Sequence, residues 1–409
     1  MTDQFSYPKE KIKIVLLENI HQVAVEKLKS AGYGVTEIPK SLAEDDLLEI
    51  IKDAHVLGIR SKTKITEKHI AAAKRMLAIG CFGIGTNQVA LQAATSAGIP
   101  VFNAPYSSTR SVAELAIAFV FALARRIGTC NNRMHLGLWE KSAKGSFEIR
   151  HKTIGIVGYG HIGQQVGLMA EALGMRVLFF DTTKKLPLGN AKPIEDLNDL
   201  LAQADYVSLH VPGLPGNRAL IGEKELQLMK VGACLMNLSR GSIVDLAALR
   251  KAIENKHLGG AAIDVYPVEP KTNKEEFKCD LMGVDNVILT PHIGGSTEEA
   301  QENIGLEVAV SFIKLIDRGT TSGAVNFPSF DLPEFPESHR ILNVHKNVPG
   351  VLNDVTRIIA GLGANINAQY LSTYKDVGYL IVDINKNVSD QAKIAIEALP
   401  SNIKTRILY

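Results

Sequence analysis

Several things are scarce in this chain. One tryptophan and four cysteines occur in 409 residues, aromatics make up 6%, and neither sign of charge dominates, with 45 Lys and Arg against 43 Asp and Glu. A net charge of +2 offers little to a phosphate backbone or an anionic bilayer, so neither nucleic acid nor a membrane surface is expected as a partner. No run approaches the roughly 20 apolar residues that span a bilayer. The opening MTDQFSYPKEKIKIVLLE has a hydrophobic part too short for a signal sequence. Cys81, Cys130, Cys234 and Cys279 lie far apart, three of them in apolar contexts, and read as reduced core thiols instead of disulfides or metal ligands. A cytoplasmic protein without a metal is the expectation.

What is present is ordinary globular material: 46% hydrophobic and 22% charged residues, enough chain for two or three domains. Short apolar runs, KIKIVLL, HVLGI at 55–59, LAIGCFGIG at 77–85 and IPVFNAP at 99–105, alternate with helical patterns. Buried strands separated by helices predict a parallel sheet. A capping-box spacing from Ser111 to Glu114 in the helix TRSVAELAIAFVFALARR opens a second domain. A second strand series runs through TIGIVG, RVLFFD, YVSLHVP, ACLMNLS, GAAIDV and NVILTPH, after which the helix STEEAQENIGLEVAVSFIKLI leads back. The expected division is a discontinuous domain over 1–108 and 299–330, an inserted domain over 109–298, and a third unit over 339–409. The third unit reads strand, helix, strand, strand, helix, strand, a ferredoxin-like order. The connector AVNFPSFDLPEFPES is expected to be a semi-extended spacer that keeps this unit away from the others.

The inserted domain begins with KTIGIVGYGHIG. Gly158, Gly160 and Gly163 follow an apolar strand and precede a helical pattern, the context in which bare backbone and a helix start can receive a pyrophosphate. Asp181 ends the next strand, about 20 residues on, where a carboxylate accepts hydrogen bonds from a ribose diol and repels a 2′-phosphate. The fold class is therefore α/β, with two Rossmann-like doubly wound parallel sheets, the NAD domain inserted in the other, plus the small C-terminal sandwich.

Three residues at strand ends supply a reaction: Arg240 in NLSRG, Glu269 in AIDVYPVEP and His292 in TPHIGGST. Hydride transfer between a 2-hydroxy acid and NAD needs a base for the hydroxyl proton and a cation for the carboxylate. His292, with an ordinary pKa of about 6.5, can take that proton near neutrality. Glu269 can hold its other ring nitrogen, and Arg240 offers a planar grip on carboxylate and keto oxygens.

In this order and spacing GYGHIG, LHVP, NLSRG, AIDVYPVEP and TPHIGGST resemble the D-2-hydroxyacid dehydrogenase family over roughly residues 10–328, and the HKNVPGVL unit resembles a small amino-acid-binding ACT domain. The resemblance implies that Arg240, Glu269 and His292 are catalytic. It implies NAD contacts from His161, Ile162, Asp181, Leu238, Ser239, Arg240, Asp264, His292, Ile293, Gly294 and Gly295. With the C-terminal unit included, the resemblance implies oxidation of 3-phospho-D-glycerate to 3-phosphooxypyruvate (phosphohydroxypyruvate) at the start of serine synthesis and a tetramer; reduction of 2-oxoglutarate, as a side or main reaction, belongs to the rival substrate reading. Arg60, Ser61 and Gly83, after two strands of the first domain, suit the substrate's second anionic group. Ser108 stands where related sequences often have asparagine and receives no role. Trp139 reads as a packing residue, although the resemblance puts its helix and loop at a subunit contact from which Lys141 could reach a neighbour's site. His345, Asn347 and Asn365 carry donors and acceptors suited to an amino acid, and the resemblance implies L-serine between paired ACT domains. Another D-2-hydroxy acid as substrate, or an NAD-sensing corepressor-like binding protein, are the alternatives.

Overall fold

The computed structural model describes residues 7–213, 215–217, 219–270, 274–335, 338–385 and 388–409. Its chain forms two compact units, one made of the residues up to Ser107 and from Gln301 onward, the other Ser108–Ala300.

In the first unit β1 (Lys13–Leu17), β2 (Gly34–Ile38), β3 (Val56–Ile59), β4 (Ala78–Cys81) and β5 (Val101–Phe102) form a parallel sheet in the order β2-β1-β3-β4-β5. Both faces are covered: Ile14, Leu16, Val56 and Ala78 pack under Phe312 and Val308 of the returning helix Glu298–Arg318, while Val15, Leu17, Leu57 and Ile79 pack against Leu47, Ile51 and Ile70. Two-sided burial explains why these strands are legible as unbroken apolar runs. The edge strand β2, GVTEI, has no buried residue and shows no such run. Gly80 lies under Phe312 and Val308, and a Cβ on Gly58 would come within 2.7 Å of Phe82.

The second unit holds β6 (Thr153–Val157), β7 (Arg176–Phe180), β8 (Lys192–Pro193), β9 (Tyr206–Leu209), β10 (Cys234–Asn237), β11 (Gly260–Ile263) and β12 (Val287–Leu289), parallel and ordered β12-β11-β10-β9-β6-β7-β8. From β6 the chain goes outward through β7 and β8, then crosses to β9 on the other side. The crevice beyond the carboxyl ends of β6 and β9 is thus the switch point at which such sheets bind ligands. The helix Thr109–Ala124 buries Val112, Ala113, Ala116, Phe119, Val120 and Leu123 on one face of this sheet. Its start differs from expectation. Ser108 stands at the N-cap, Ser111 is already inside the helix with its hydroxyl 2.8 Å from Thr297 Oγ1, and Glu114 pairs with Arg110 at 2.6 Å, so no capping box forms.

Within the first unit, β13 (His339–Lys346), β14 (Ile366–Tyr374), β15 (Val377–Ile384) and β16 (Asn402–Leu408) make an antiparallel sheet ordered β14-β15-β13-β16. The helices Val351–Gly361 and Ser389–Glu397 cover one face. The connector side chains Phe327 and Leu332 cover the other against Leu342, Tyr379 and Ile381. The connector is therefore no spacer: it is folded onto the sheet. Tyr379 donates to Gly319 O at 2.8 Å, and the fully buried Arg340 guanidinium grips both Asp383 oxygens at 2.6 and 2.7 Å while donating to Arg318 O and Pro333 O at 3.0 Å. Apolar burial on this face outweighs the stiffness of the prolines.

Two other expectations change. All four cysteines are free thiols, but Cys130 is exposed and Cys279 half-buried, so only Cys81 and Cys234 belong to the core. Trp139 is 78% exposed and Leu136 75%, which leaves the tryptophan unpacked within its own chain. No helix among the described residues is long and apolar enough to cross a membrane.

Candidate active site

The glycine turn of the second unit divides its work among three positions. Gly158 has φ +93°, and a Cβ there would lie 2.5 Å from His210 O. Gly163 lets the helix His161–Ala172 close onto the strand, since its Cβ would run into Gly158 O. Gly160 differs: it faces open space, with nothing within 4 Å of a Cβ, at the start of that helix. Bare backbone, a helix N-terminus and empty space above it fit a dinucleotide pyrophosphate. Asp181 at the end of β7 accepts from Tyr159 N at 2.9 Å with one oxygen, and from Thr183 N and Oγ1 at 2.9 and 3.0 Å with the other. Its carboxylate is held against the glycine turn, and the oxygen that accepts from Tyr159 N alone keeps acceptor capacity for a ribose diol.

Beyond β10, the Leu238–Ser239–Arg240 turn is organised by a residue that sequence reading passed over. Asn237 is fully buried; its Oδ1 accepts from Ser239 N and Oγ at 3.1 and 2.9 Å, and its amide donates to Arg240 O at 3.0 Å. The only sequence signal was a polar residue ending an apolar strand. Gly241 follows, and a Cβ there would collide with the Tyr266 and Pro267 backbone. That close approach brings the turn beside the 264–269 segment. Arg240 donates to Ser239 O at 2.7 Å; burial pulls its pKa down from the usual arginine value, and the Glu269 charge opposes this.

Glu269 and His292 are joined directly. His292 Nδ1 lies 3.0 and 2.9 Å from the two Glu269 oxygens, and Tyr266 N donates to Glu269 at 3.2 Å. The hydrogen bond and charge of Glu269 hold the His292 pKa above its ordinary value, against the effects of burial and of Arg240. Burial would raise the Glu269 pKa, but the His292 bond and charge, the Tyr266 N–H and Arg240 outweigh it, so the carboxylate titrates low. The bond to Nδ1 leaves Nε2 as the nitrogen that can exchange a proton, and Nε2 has no partner among the described residues. The ring is half-exposed and sits on a left-handed backbone, φ +55°.

Asp264, expected as a cofactor contact, is 1% exposed and engaged by its own chain. It accepts from Thr290 Oγ1 at 2.6 Å, Ile293 N at 2.8 Å and Gly294 N at 2.9 Å, fixing the loop that carries His292. Gly295 passes over Ser108, where a Cβ would be 3.2 Å from the serine's own.

In the first unit Arg60, half-exposed, and Ser61, exposed, follow β3, while Gly83 follows β4 with no neighbour within 4 Å of a Cβ. In the ACT sheet His345 is buried next to Gly378, with Nδ1 2.9 Å from Lys346 O and Nε2 unpartnered. Asn347 donates to Lys375 O at 3.1 Å. Asn365, by contrast, donates its backbone N–H to Asn385 Oδ1 at 2.9 Å. His345 pairs with Gly378 and Ile366 with Ile384 across β15, so Asn365 lies about 20 Å along the strands from the other two. One chain does not bring the three together.

Comparison with known proteins agrees with this geometry. Residues 117–294 match the D-isomer specific 2-hydroxyacid dehydrogenase NAD binding domain, and 341–404 match the AHAS small subunit-like ACT domain. D-3-phosphoglycerate dehydrogenase of Escherichia coli is 52% identical over 407 residues, and that of Dictyostelium discoideum 51% over 404, each alignment covering 99% of both chains. The crystal structure of Aquifex aeolicus D-lactate dehydrogenase, complexed with NAD and lactic acid, superposes with a TM-score of 0.67 at 28% identity over 77% of this chain and 100% of that one. With a glycine turn shaped for a dinucleotide and a histidine–glutamate pair beside an arginine, the chain belongs to the NAD-dependent D-isomer specific 2-hydroxyacid dehydrogenases and, within them, to the D-3-phosphoglycerate dehydrogenase family.

Proposed function

We propose that the enzyme oxidises 3-phospho-D-glycerate to 3-phosphooxypyruvate, and catalyses the reverse reduction, with His292 as acid and base. The observation that carries this reading is the bond from His292 Nδ1 to both Glu269 oxygens, which sets the tautomer and leaves Nε2 to take the C2 hydroxyl proton. Glu269 then stabilises the imidazolium. Arg240 binds the substrate carboxylate, and Arg60, Ser61 and Gly83 receive its phosphate. NAD, when bound, accepts the hydride; the Gly158–Gly163 turn holds its pyrophosphate and Asp181 its ribose. Three catalytic groups on separate strand ends act as one because the Asn237, Asp264 and Tyr266 hydrogen bonds pre-set them.

The ACT sheet makes the enzyme responsive to an amino acid, and L-serine, the end product of the route this reaction opens, is the effector proposed. His345 and Asn347 of one copy with Asn365 of another would form the pocket. The exposed Leu136, Trp139 and Met134 suit a further contact between copies, giving a homotetramer working in the cytoplasm. Initial rates with phosphohydroxypyruvate and NADH, with and without L-serine, test the substrate and the effector together. A strong preference for 2-oxoglutarate would overturn the substrate assignment. Replacing His292 with alanine should lower kcat by roughly 10²–10⁴ while NADH still binds; unchanged turnover would remove His292 from the mechanism.

A further inference from the structure

The first sheet has its own switch point. From β1 the chain goes outward to β2 and then crosses to β3, so the carboxyl ends of β1 and β3 flank the crevice where such sheets accept ligands. The residue after β3 is Arg60, and the residue after β1 is Glu18.

Glu18 is an unusual occupant for that place. It is 8% exposed, and both it and Asn19 have left-handed backbones, φ +66° and +51°. A buried carboxylate needs donors, and those it has come from the neighbouring loop: Oε2 accepts from Lys62 N at 3.0 Å and Oε1 from Thr63 N at 2.8 Å. The same loop is tied at its other flank. Gln88 donates to Arg60 O at 3.1 Å, and Ile65 exchanges main-chain bonds of 2.8 Å with Gln88 and Ala90. Thr63 is buried while Ser61 and Lys62 remain exposed. The loop that carries Arg60 and Ser61 is therefore pinned at both flanks, with its polar side chains left outward.

We infer that Glu18 is a positioning residue for substrate binding: its two oxygens clamp consecutive amides of the 60–63 loop and so hold Arg60 and Ser61 ready for the substrate's phosphate. This rests on the assignment of Arg60 to that phosphate. Ordering a loop in advance removes its entropy cost from the binding step, and loss of the clamp should return that cost to substrate affinity. Glutamine at 18 keeps the size and one good acceptor but turns an N–H₂ toward one of the two amides, so one clamp bond is lost.

Steady-state kinetics of Glu18→Gln, Arg60→Ala and the double variant in the full-length enzyme test the inference. Glu18→Gln should raise KM for phosphohydroxypyruvate by roughly tenfold while kcat and NADH affinity stay within about twofold, the pattern of lost substrate binding alone. In the Arg60→Ala background the same change should add less than about twofold, because the residue through which Glu18 acts is gone. An unchanged KM in Glu18→Gln beside a raised one in Arg60→Ala overturns the clamp and leaves the phosphate assignment standing. Equal effects of Glu18→Gln in both backgrounds also overturn it. An unchanged KM in Arg60→Ala removes the phosphate assignment and the clamp with it. If Glu18→Gln folds poorly, Glu18→Asp, which keeps the charge but is one methylene shorter and cannot reach both amides, carries the same test, and a KM equal to the parent's refutes it.

Discussion

Asp264 separates two accounts of the cofactor loop. As a holder of residues 290–294, it accepts three bonds of 2.6–2.9 Å, two of them from main-chain N–H groups. Bonds to a charged acceptor contribute about 1.5–3 kcal/mol each. The sum overstates the loss in Asp264→Ala, since the Thr290 hydroxyl can rotate to another acceptor and Ile293 is 40% exposed, within reach of water. Gly294 N–H is buried and stays unpaired. The expected destabilisation is about 3–5 kcal/mol, a fall of about 6–20 °C in the Tm of this unit. Asp264→Asn should lose one bond, about 1.5–3 kcal/mol. With the loop released, His292 drifts; a shift of about 1 Å should lower kcat by roughly 100-fold. Thermal denaturation, NADH titration by fluorescence and steady-state rates on both variants check this. Variants that melt with the parent and lose only NADH affinity would refute the loop-holding account and make Asp264 a direct cofactor ligand.

Four further outcomes follow from the structure. Glu269 holds the His292 pKa above its ordinary value, so oxidation of phosphoglycerate, which needs the neutral ring, should rise with pH through that raised value. In Glu269→Gln the limb of the kcat/KM profile should move to lower pH, and a stationary limb would contradict the pairing. The stability from this ion pair is present below about pH 6.5 and lost as pH rises through the raised value, and on the acid side it is lost as pH falls through the depressed Glu269 pKa. Gly160→Ala should leave the Tm unchanged but weaken NADH binding at least roughly tenfold, whereas Gly158→Ala, at φ +93° against His210 O, should destabilise the apo unit by about 1–3 kcal/mol. Arg340→Met, which strands Asp383 in the core, should cost about 3–5 kcal/mol, and adding Asp383→Leu should recover most of it; urea denaturation reads both.

Most of the architecture was legible because its signals are local. Apolar runs marked the buried strands, whereas β2 escaped because an edge strand without buried residues carries no run, and β8 because it spans two residues. The helix at Thr109 began before its expected cap because Ser111 was taken up by Thr297, a partner 186 positions away. Asn237 passed unnoticed for a related reason: an asparagine ending a strand resembles any turn residue until its three bonds are seen.

The amino-acid order by itself determined the glycine turn, the succession of strands and the kinds of groups available for acid–base chemistry, since backbone freedom, hydrophobic period and side-chain pKa are properties of short segments. Tertiary structure alone decided which groups meet. Register between parallel strands and closure of the loops beyond them put Glu269 against His292 and turned Asp264 inward. The antiparallel register of the ACT sheet separated Asn365 from His345, and apolar packing laid the connector on that sheet. Those contacts join residues far apart in sequence, and only the packing that brings their backbones together selects them.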